Sequence, residues 1–175
     1  FLYELSNLKV IVFPYGGDGQ DLTRTSNLIL KNSIIKSYPN FRKVRKRIST
    51  NIDRWSKYGD LVVSGCEWVD YMHGWDFLTP AHFTMEIPLS SSIKDTIYIP
   101  RSKLKILHAT NHRDMKGTNY IESVVSSLIK EGLDIELKII ERVKNKKVLE
   151  ELQNAHLVID QLIIGWYGMF SVESM

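Results

Sequence analysis

The chain has 175 residues, 43% hydrophobic and 25% charged, with a formal net charge of +3. That balance describes a globular protein and excludes a disordered one. The small positive excess does not argue for nucleic acid, and no stretch has the length and apolarity of a membrane span. A single cysteine, Cys66, allows no internal disulfide and fits a reducing compartment. The length suits one domain or two small ones. A start at Phe1 and an end inside a helical pattern read as a piece of a longer protein.

In chain order, Leu8 to Pro14 (LKVIVFP) predicts a buried strand. Tyr15 to Asp21 (YGGDGQD) follows as a Gly-rich loop without the spacing of a dinucleotide fingerprint or a P-loop. It is either a tight strand-to-helix connection or a loop lining a ligand cleft. Asn27 to Tyr38 predicts a helix with Leu28, Ile29, Ile34 and Ile35 apolar, ending before Pro39. Phe41 to Tyr58 predicts a second helix whose Phe41, Val44, Ile48, Ile52 and Trp55 face the core. The intervening Arg42, Lys43, Arg45, Lys46 and Arg47 form a solvated basic face or a contact for anionic lipid or an acidic acceptor. Aromatic residues interleaved for stacking on single-stranded nucleic acid are absent. Asp60 to Gly65 predicts a second buried strand. Glu67 to Leu78 offers Glu67, Asp70, His73 and Asp76 as polar contacts beside Trp68, Tyr71 and Trp75, which suit packing. Thr96 to Ile99 is a short extended piece before a linker at Pro100.

From Lys103 the pattern turns regular. Leu104 to Ala109 is a strand, Asn111 to Gly117 a loop, and Asn119 to Glu131 a helix. The apolar face of that helix is Ile121, Val124, Val125, Leu128 and Ile129. Asn119 with Glu122 forms a capping box, and Gly132 is a stop signal. Ile135 to Ile140 is a strand, Asn145 to Asn154 a helix with Val148, Leu149 and Leu152 inward, and Leu157 to Leu162 the third strand. Such βαβαβ order implies parallel strands joined by right-handed crossovers, with the loops after all strands on one edge. Gly165 to Gly168 is then a βα turn leading into a helix from Met169. Backbone N–H groups and the positive end of that helix suit an anion at the sheet edge. His108 reads as a core histidine and His112 as a hydrogen-bond donor to phosphate. No histidine has metal-ligand spacing.

Two motifs carry a resemblance. GWYGMFSVESM (Gly165 to Met175) resembles the last motif of the large retaining family of GT-B glycosyltransferases, known as glycosyltransferase family 4 or glycosyl transferases group 1. There an E-G-F-G-like loop opens a helix that carries a second Glu. Glu173 matches that Glu and Gly168 the loop glycine, while Gly165 stands where the family has its first Glu. HATNHRDMKGT (His108 to Thr118) resembles the first strand and loop of the donor domain, where an Arg and a Lys-Gly bind the donor diphosphate. Arg113, Lys116 and Gly117 match them, with Asp114 and Met115 alone between the cations where the family commonly has four residues.

The resemblance implies an α/β chain of GT-B type, with two Rossmann-like domains facing a cleft, both incomplete. Residues 1–100 would be the end of an acceptor-binding domain with linker, and 101–175 the start of the donor-binding domain. It implies a sugar transferred, with retention, from a nucleoside-diphosphate sugar to a glycan or lipid-linked acceptor. Arg113 and Lys116 would be the catalytic cations, offsetting charge on the departing diphosphate without a metal or another cofactor. Gly117, Gly165, Trp166 and Gly168 would line the donor site, and Glu173 would hold the ribose. The expected setting is cytoplasmic, with peripheral contact at the inner membrane face and no nucleic acid. Two alternatives share the fold: a nucleotide-sugar-binding protein without turnover, and a sugar-nucleotide epimerase.

Overall fold

A computed structural model of the chain describes residues 7–14, 19, 21, 24–65, 69, 72–79, 103–165 and 167–175. The chain divides into two compact units, Phe1–Thr84 and Met85–Met175. The boundary expected at residue 100 falls outside the described residues. So do Glu67, Asp70, the Thr96 to Ile99 piece and most of the Tyr15 to Asp21 loop. Both units are α/β with parallel strands. Among the described residues, no helix is long and apolar enough to cross a membrane.

In the first unit, strands β1 (Ile11–Val12), β2 (Leu61–Gly65) and β3 (Phe77–Thr79) pair in that order. Helices α1 (Leu28–Ser37) and α2 (Phe41–Tyr58) connect the first two. The strand expected over Leu8 to Pro14 is paired only at Ile11 and Val12, against Leu61 and Val62. Among the described residues it has a single neighbouring strand, and Leu8, Ile11 and Phe13 are exposed rather than buried. Asn27 starts α1 by accepting the N–H groups of Ile29 and Leu30 at 3.0 and 3.1 Å. The helix buries Leu30, Ser33 and Ile34, leaving Leu28, Ile29 and Ile35 outside. Apolar residues occur nearly all round α1, so periodicity alone selects no face. In α2 the stripe is well separated: Ile48 and Ile52 are buried with Val62 and Met72, and Val12, Val44 and Trp55 close the cluster.

Two carboxylates, Asp60 at the start of the expected second strand and Asp76 from the expected polar stretch, serve the backbone. Asp60 accepts the Val10 N–H at 2.9 Å and pairs with Lys9. Asp76 accepts the Val62 N–H at 2.8 Å, just before β3, a strand that no periodicity announced. His73 meets Asp53 at 2.9 Å on α2.

The second unit orders its strands β5 (Ile135–Glu141), β4 (Leu104–Thr110) and β6 (Leu157–Val158), with β4 central. Ladder β4–β5 runs in register from Leu104 opposite Ile135 to Thr110 opposite Glu141. Alternation along β4 sends successive side chains to opposite faces. Ile106 packs with Ile121 and Val125 of helix α4 (Thr118–Lys130) and with Ile135. Leu107 and Ala109 pack with Phe170, Val148 and Leu152. The latter come from helices α5 (Asn145–Leu152) and α6 (Met169–Glu173). Burying about 25 cal/mol per Å² of apolar surface on each side is what holds such a three-layer unit together.

Departures from the expected elements have local causes. The loop Asn111 to Gly117 contains a single-turn helix, α3 (Arg113–Lys116). Helix α4 begins at Thr118 with Gly117 as its cap residue, so Asn119 lies inside the first turn and makes no capping box. Thr118 is instead drawn into the core to meet His108. Val124 and Ile129 flank the buried stripe and are exposed, as is Leu149 on α5. Gly132, at φ 99°, stops α4 as expected, with the Leu133 N–H donating to the Leu128 carbonyl at 3.1 Å. The third strand pairs only at Leu157 and Val158. Beyond Ile159 the chain leaves the ladder and crosses to α3, where the Leu162 N–H donates to the Lys116 carbonyl.

Candidate functional site

Carboxyl ends of β4 and β5 open on a cleft of about 500 Å³. Its walls are Asn111 and His112 after β4, Arg142 and Val143 after β5, Asn145 on α5, and Met169, Phe170 and Glu173 on α6; Lys116 closes it. The loop after β4, the chain after β5 and helix α6 thus share one cleft, whereas Gly117, Gly165 and Gly168, expected to line the donor site, are not among its walls.

Lys116 lies above the Phe170 ring, 5.6 Å from its centre. Its ammonium is bonded to Asp160. The same carboxylate accepts the Gly168 N–H at 3.2 Å and the Ser171 hydroxyl at 2.5 Å. Asp160 thus sits at the amino end of α6, where sequence reasoning seats a ligand's anion. Burial pushes the Asp160 pKa up, but the bonds from Lys116 and Ser171, the lysine charge and the Gly168 N–H prevail and hold it below the ordinary value. An ammonium has three donors, so Lys116 can serve Asp160 and a ligand together.

Arg113 takes another course. Its guanidinium bonds Glu122 of α4 at 2.6 Å and Glu141 at the end of β5 at 2.5 Å. These two bonds, with the charges of the same glutamates, raise its pKa. Arg113 does not line the cleft and its charge is offset. Two carboxylates at forked donors satisfy a guanidinium well. Their approach depends on residues far apart in the chain.

The glycines divide by task. Gly117 has φ 76°, and a Cβ there would lie 3.2 Å from Leu162 Cβ. It permits the close approach of the α3–α4 corner to the chain after β6. Gly165 has φ 85° and open space around it. Gly168 is extended at the start of α6. Trp166 lies outside the described residues. Glu173 lines the cleft and accepts a hydrogen bond from the Asn145 side chain at 3.0 Å.

Behind the cleft, His108 is fully buried. Its Nδ1 is 2.7 Å from the Ile159 carbonyl, which can only accept, so Nδ1 carries the proton. Its Nε2 lies 2.9 Å from the Thr118 hydroxyl. Burial is the main cause lowering its pKa, opposed by the Ile159 carbonyl, and the ring is a neutral core residue as expected. His112 lines the cleft, and burial followed by the charges of Arg142 and Lys116 lowers its pKa. Among the described residues no cluster of His, Cys, Asp or Glu could hold a metal ion.

Sequence reasoning did not single out Asp160, Asn111, Arg142 or Asn145. The available signal was position: Arg142 follows a parallel strand directly, as does Asn111, and residues there meet ligands in open α/β sheets. No protein-family model matches the chain, and no match was found among curated proteins or solved structures.

Proposed function

We propose that the second unit binds a nucleoside-diphosphate sugar and that the chain is part of a retaining glycosyltransferase of GT-B type, with a glycan or lipid-linked acceptor. The observation that carries this reading is that Lys116 and Glu173, two of the three charged matches to the family motifs, line one cleft at the carboxyl edge of a parallel sheet. Their chemistry divides the ligand sensibly. The ammonium offsets charge on the diphosphate as the sugar leaves, and the carboxylate accepts from ribose hydroxyls. The exposed basic face of α2 supports contact of the first unit with an anionic acceptor or lipid surface.

The test is calorimetric titration of the chain and Lys116→Ala with nucleoside diphosphates and the matching nucleosides. A charge-assisted hydrogen bond contributes roughly 1.5–3 kcal/mol, so the variant should lose roughly ten- to a hundredfold in diphosphate affinity and little for the nucleoside. Equal loss for both ligands overturns the phosphate assignment. Gly165, which has no side chain to touch the sugar, favours the second reading, a nucleotide-sugar-binding protein without turnover. Release of free nucleoside diphosphate in the presence of acceptor separates the two.

A further inference from the structure

We infer that Arg142 is the second phosphate anchor of the cleft, in the role that sequence matching gives to Arg113. The ligand class rests on the nucleotide-sugar reading above. The choice of residue rests on its place in the cleft, its backbone and its lack of an ion pair among the described residues.

Arg113, Lys116 and Arg142 stand near the carboxyl edge of the second sheet, the last two lining the cleft. Arg113 is held by Glu122 and Glu141, and Lys116 by Asp160. Arg142 lines the cleft and makes no ion pair among the described residues. Of the two cations that line the cleft, Lys116 and Arg142, it is the one without an ion pair among the described residues. Its backbone is also unusual. Arg142 has φ 53°, in the left-handed region that long side chains seldom adopt. The conformation is held across the cleft mouth: the Arg142 N–H donates to the Asn111 side-chain oxygen at 2.9 Å. Thr110 and Glu141 are register partners at the ends of β4 and β5, so Asn111 and Arg142 are the next residues out on neighbouring strands. The bond between them fixes how the chain leaves β5, and with it where the guanidinium starts. Strained backbone held by its surroundings gathers at ligand sites. The Arg142 charge is felt at His112 on the facing loop, where it helps lower the histidine pKa. A diphosphate between Lys116 and Arg142 would meet a point charge on one side and a planar fork on the other, the pairing suited to phosphate oxygens.

A glycine substitution separates the side chain from the backbone. Glycine adopts positive φ freely, so Arg142→Gly removes the guanidinium and relieves the strain together. The probes are inorganic pyrophosphate, nucleoside diphosphates and the matching nucleosides, titrated by calorimetry into the chain and into Arg142→Gly, Arg142→Lys and Asn111→Ala. Melting temperatures are measured on the same samples. Arg142→Gly should melt no lower than the parent and bind pyrophosphate roughly ten- to a hundredfold more weakly. Arg142→Lys should lose less. Asn111→Ala should weaken pyrophosphate binding while leaving the arginine in place.

Parent-like pyrophosphate affinity in Arg142→Gly overturns the inference, and diphosphate binding that still needs Lys116 would leave the sugar-nucleotide reading standing. Pyrophosphate binding that needs Arg142, with no gain from an attached nucleoside, supports the anchor and sinks the sugar-nucleotide reading. Absence of any anion binding by the parent chain overturns both.

Discussion

Asp160 holds the ammonium of Lys116 and, through its other oxygen, the Gly168 N–H and the Ser171 hydroxyl. One carboxylate thereby ties α3 to the amino end of α6. It satisfies donors that a short helix leaves unpaired, and it holds the lysine at the mouth of the cleft. On the proposed reading, a ligand phosphate would meet Lys116 from the cleft side.

The Lys116–Asp160 pair should be worth its cost only as a pair. Removing one partner leaves a largely buried charge unmatched. Asp160→Asn keeps an acceptor for Gly168 and Ser171 but loses the ion pair. Lys116→Met strands the carboxylate, and the double variant strands neither. A urea-unfolding cycle over these variants should give a coupling of about 1–3 kcal/mol. Coupling near zero would mean that the pair does not hold the two segments together.

Stability should fall in two separate windows as the solution is acidified. His108 has a pKa below its ordinary 6.5, so the unfolded chain takes up the proton first. Its contribution is complete above pH 6.5 and declines as pH drops through and below that value. His112 is lowered too and adds to the same window. Asp160 is held below its ordinary 3.8, so its contribution is intact above that value and declines further into acid. Thermal melts across this range should show both declines. His112→Gln should remove part of the first, and Asp160→Asn should flatten the second. An unchanged acid limb in Asp160→Asn would show that other carboxylates govern it.

Fold and site were legible to different depths. Local patterns located α2, α4, β4 and β5 to within about a residue, because strong periodicity and stop signals such as Gly132 act over a few neighbours. The buried face of α1 was not legible, since Leu28, Ile29, Leu30, Ile34 and Ile35 offer apolar side chains in several directions. The short pairing of β1 and β6 was hidden because a ladder depends on the neighbouring strand as well as on the apolar run. At the site, motif spacing picked out Lys116 and Glu173, which line the same cleft. The pairing of Arg113 was not legible, because its partners Glu122 and Glu141 are brought to it by α4 and β5. The left-handed backbone of Arg142 had no sequence signal, because an arginine in that conformation is held by a contact from another loop.

Gly117 and Gly165 both have positive φ, 76° and 85°, but different surroundings, so their alanine variants should separate. At Gly165 an added Cβ meets open space and costs only the strain of positive φ, about 1 kcal/mol. At Gly117 it also crowds Leu162 and Ile163, and the total should reach about 2–4 kcal/mol. Urea unfolding measures both, and equal losses would remove the packing role of Gly117. Gly165→Glu restores the acid that the resembling family carries. It should cost little more stability than Gly165→Ala and should change sugar-nucleotide preference. Unchanged affinities across several sugar nucleotides would put Gly165 outside the donor site.

The outer face of α2 yields a prediction independent of the second unit. Arg42, Lys43, Lys46, Arg47 and Arg54 are exposed and make no ion pair among the described residues, while Arg45 is engaged by Asp21. Lys43, Lys46, Arg47 and Arg54 line a shallow groove of about 380 Å³. Each basic residue near an anionic bilayer contributes about 1 kcal/mol of attraction, screened within a Debye length. The chain should therefore sediment with vesicles containing phosphatidylglycerol at low salt and be released as salt is raised. Neutral phosphatidylcholine vesicles should capture little of it. Replacing Lys43, Lys46 and Arg47 with glutamate should abolish capture without loss of helicity, because these side chains lie off the Ile48–Ile52 core stripe. Capture that ignores salt, or that persists in the triple variant, would assign membrane contact to some other surface.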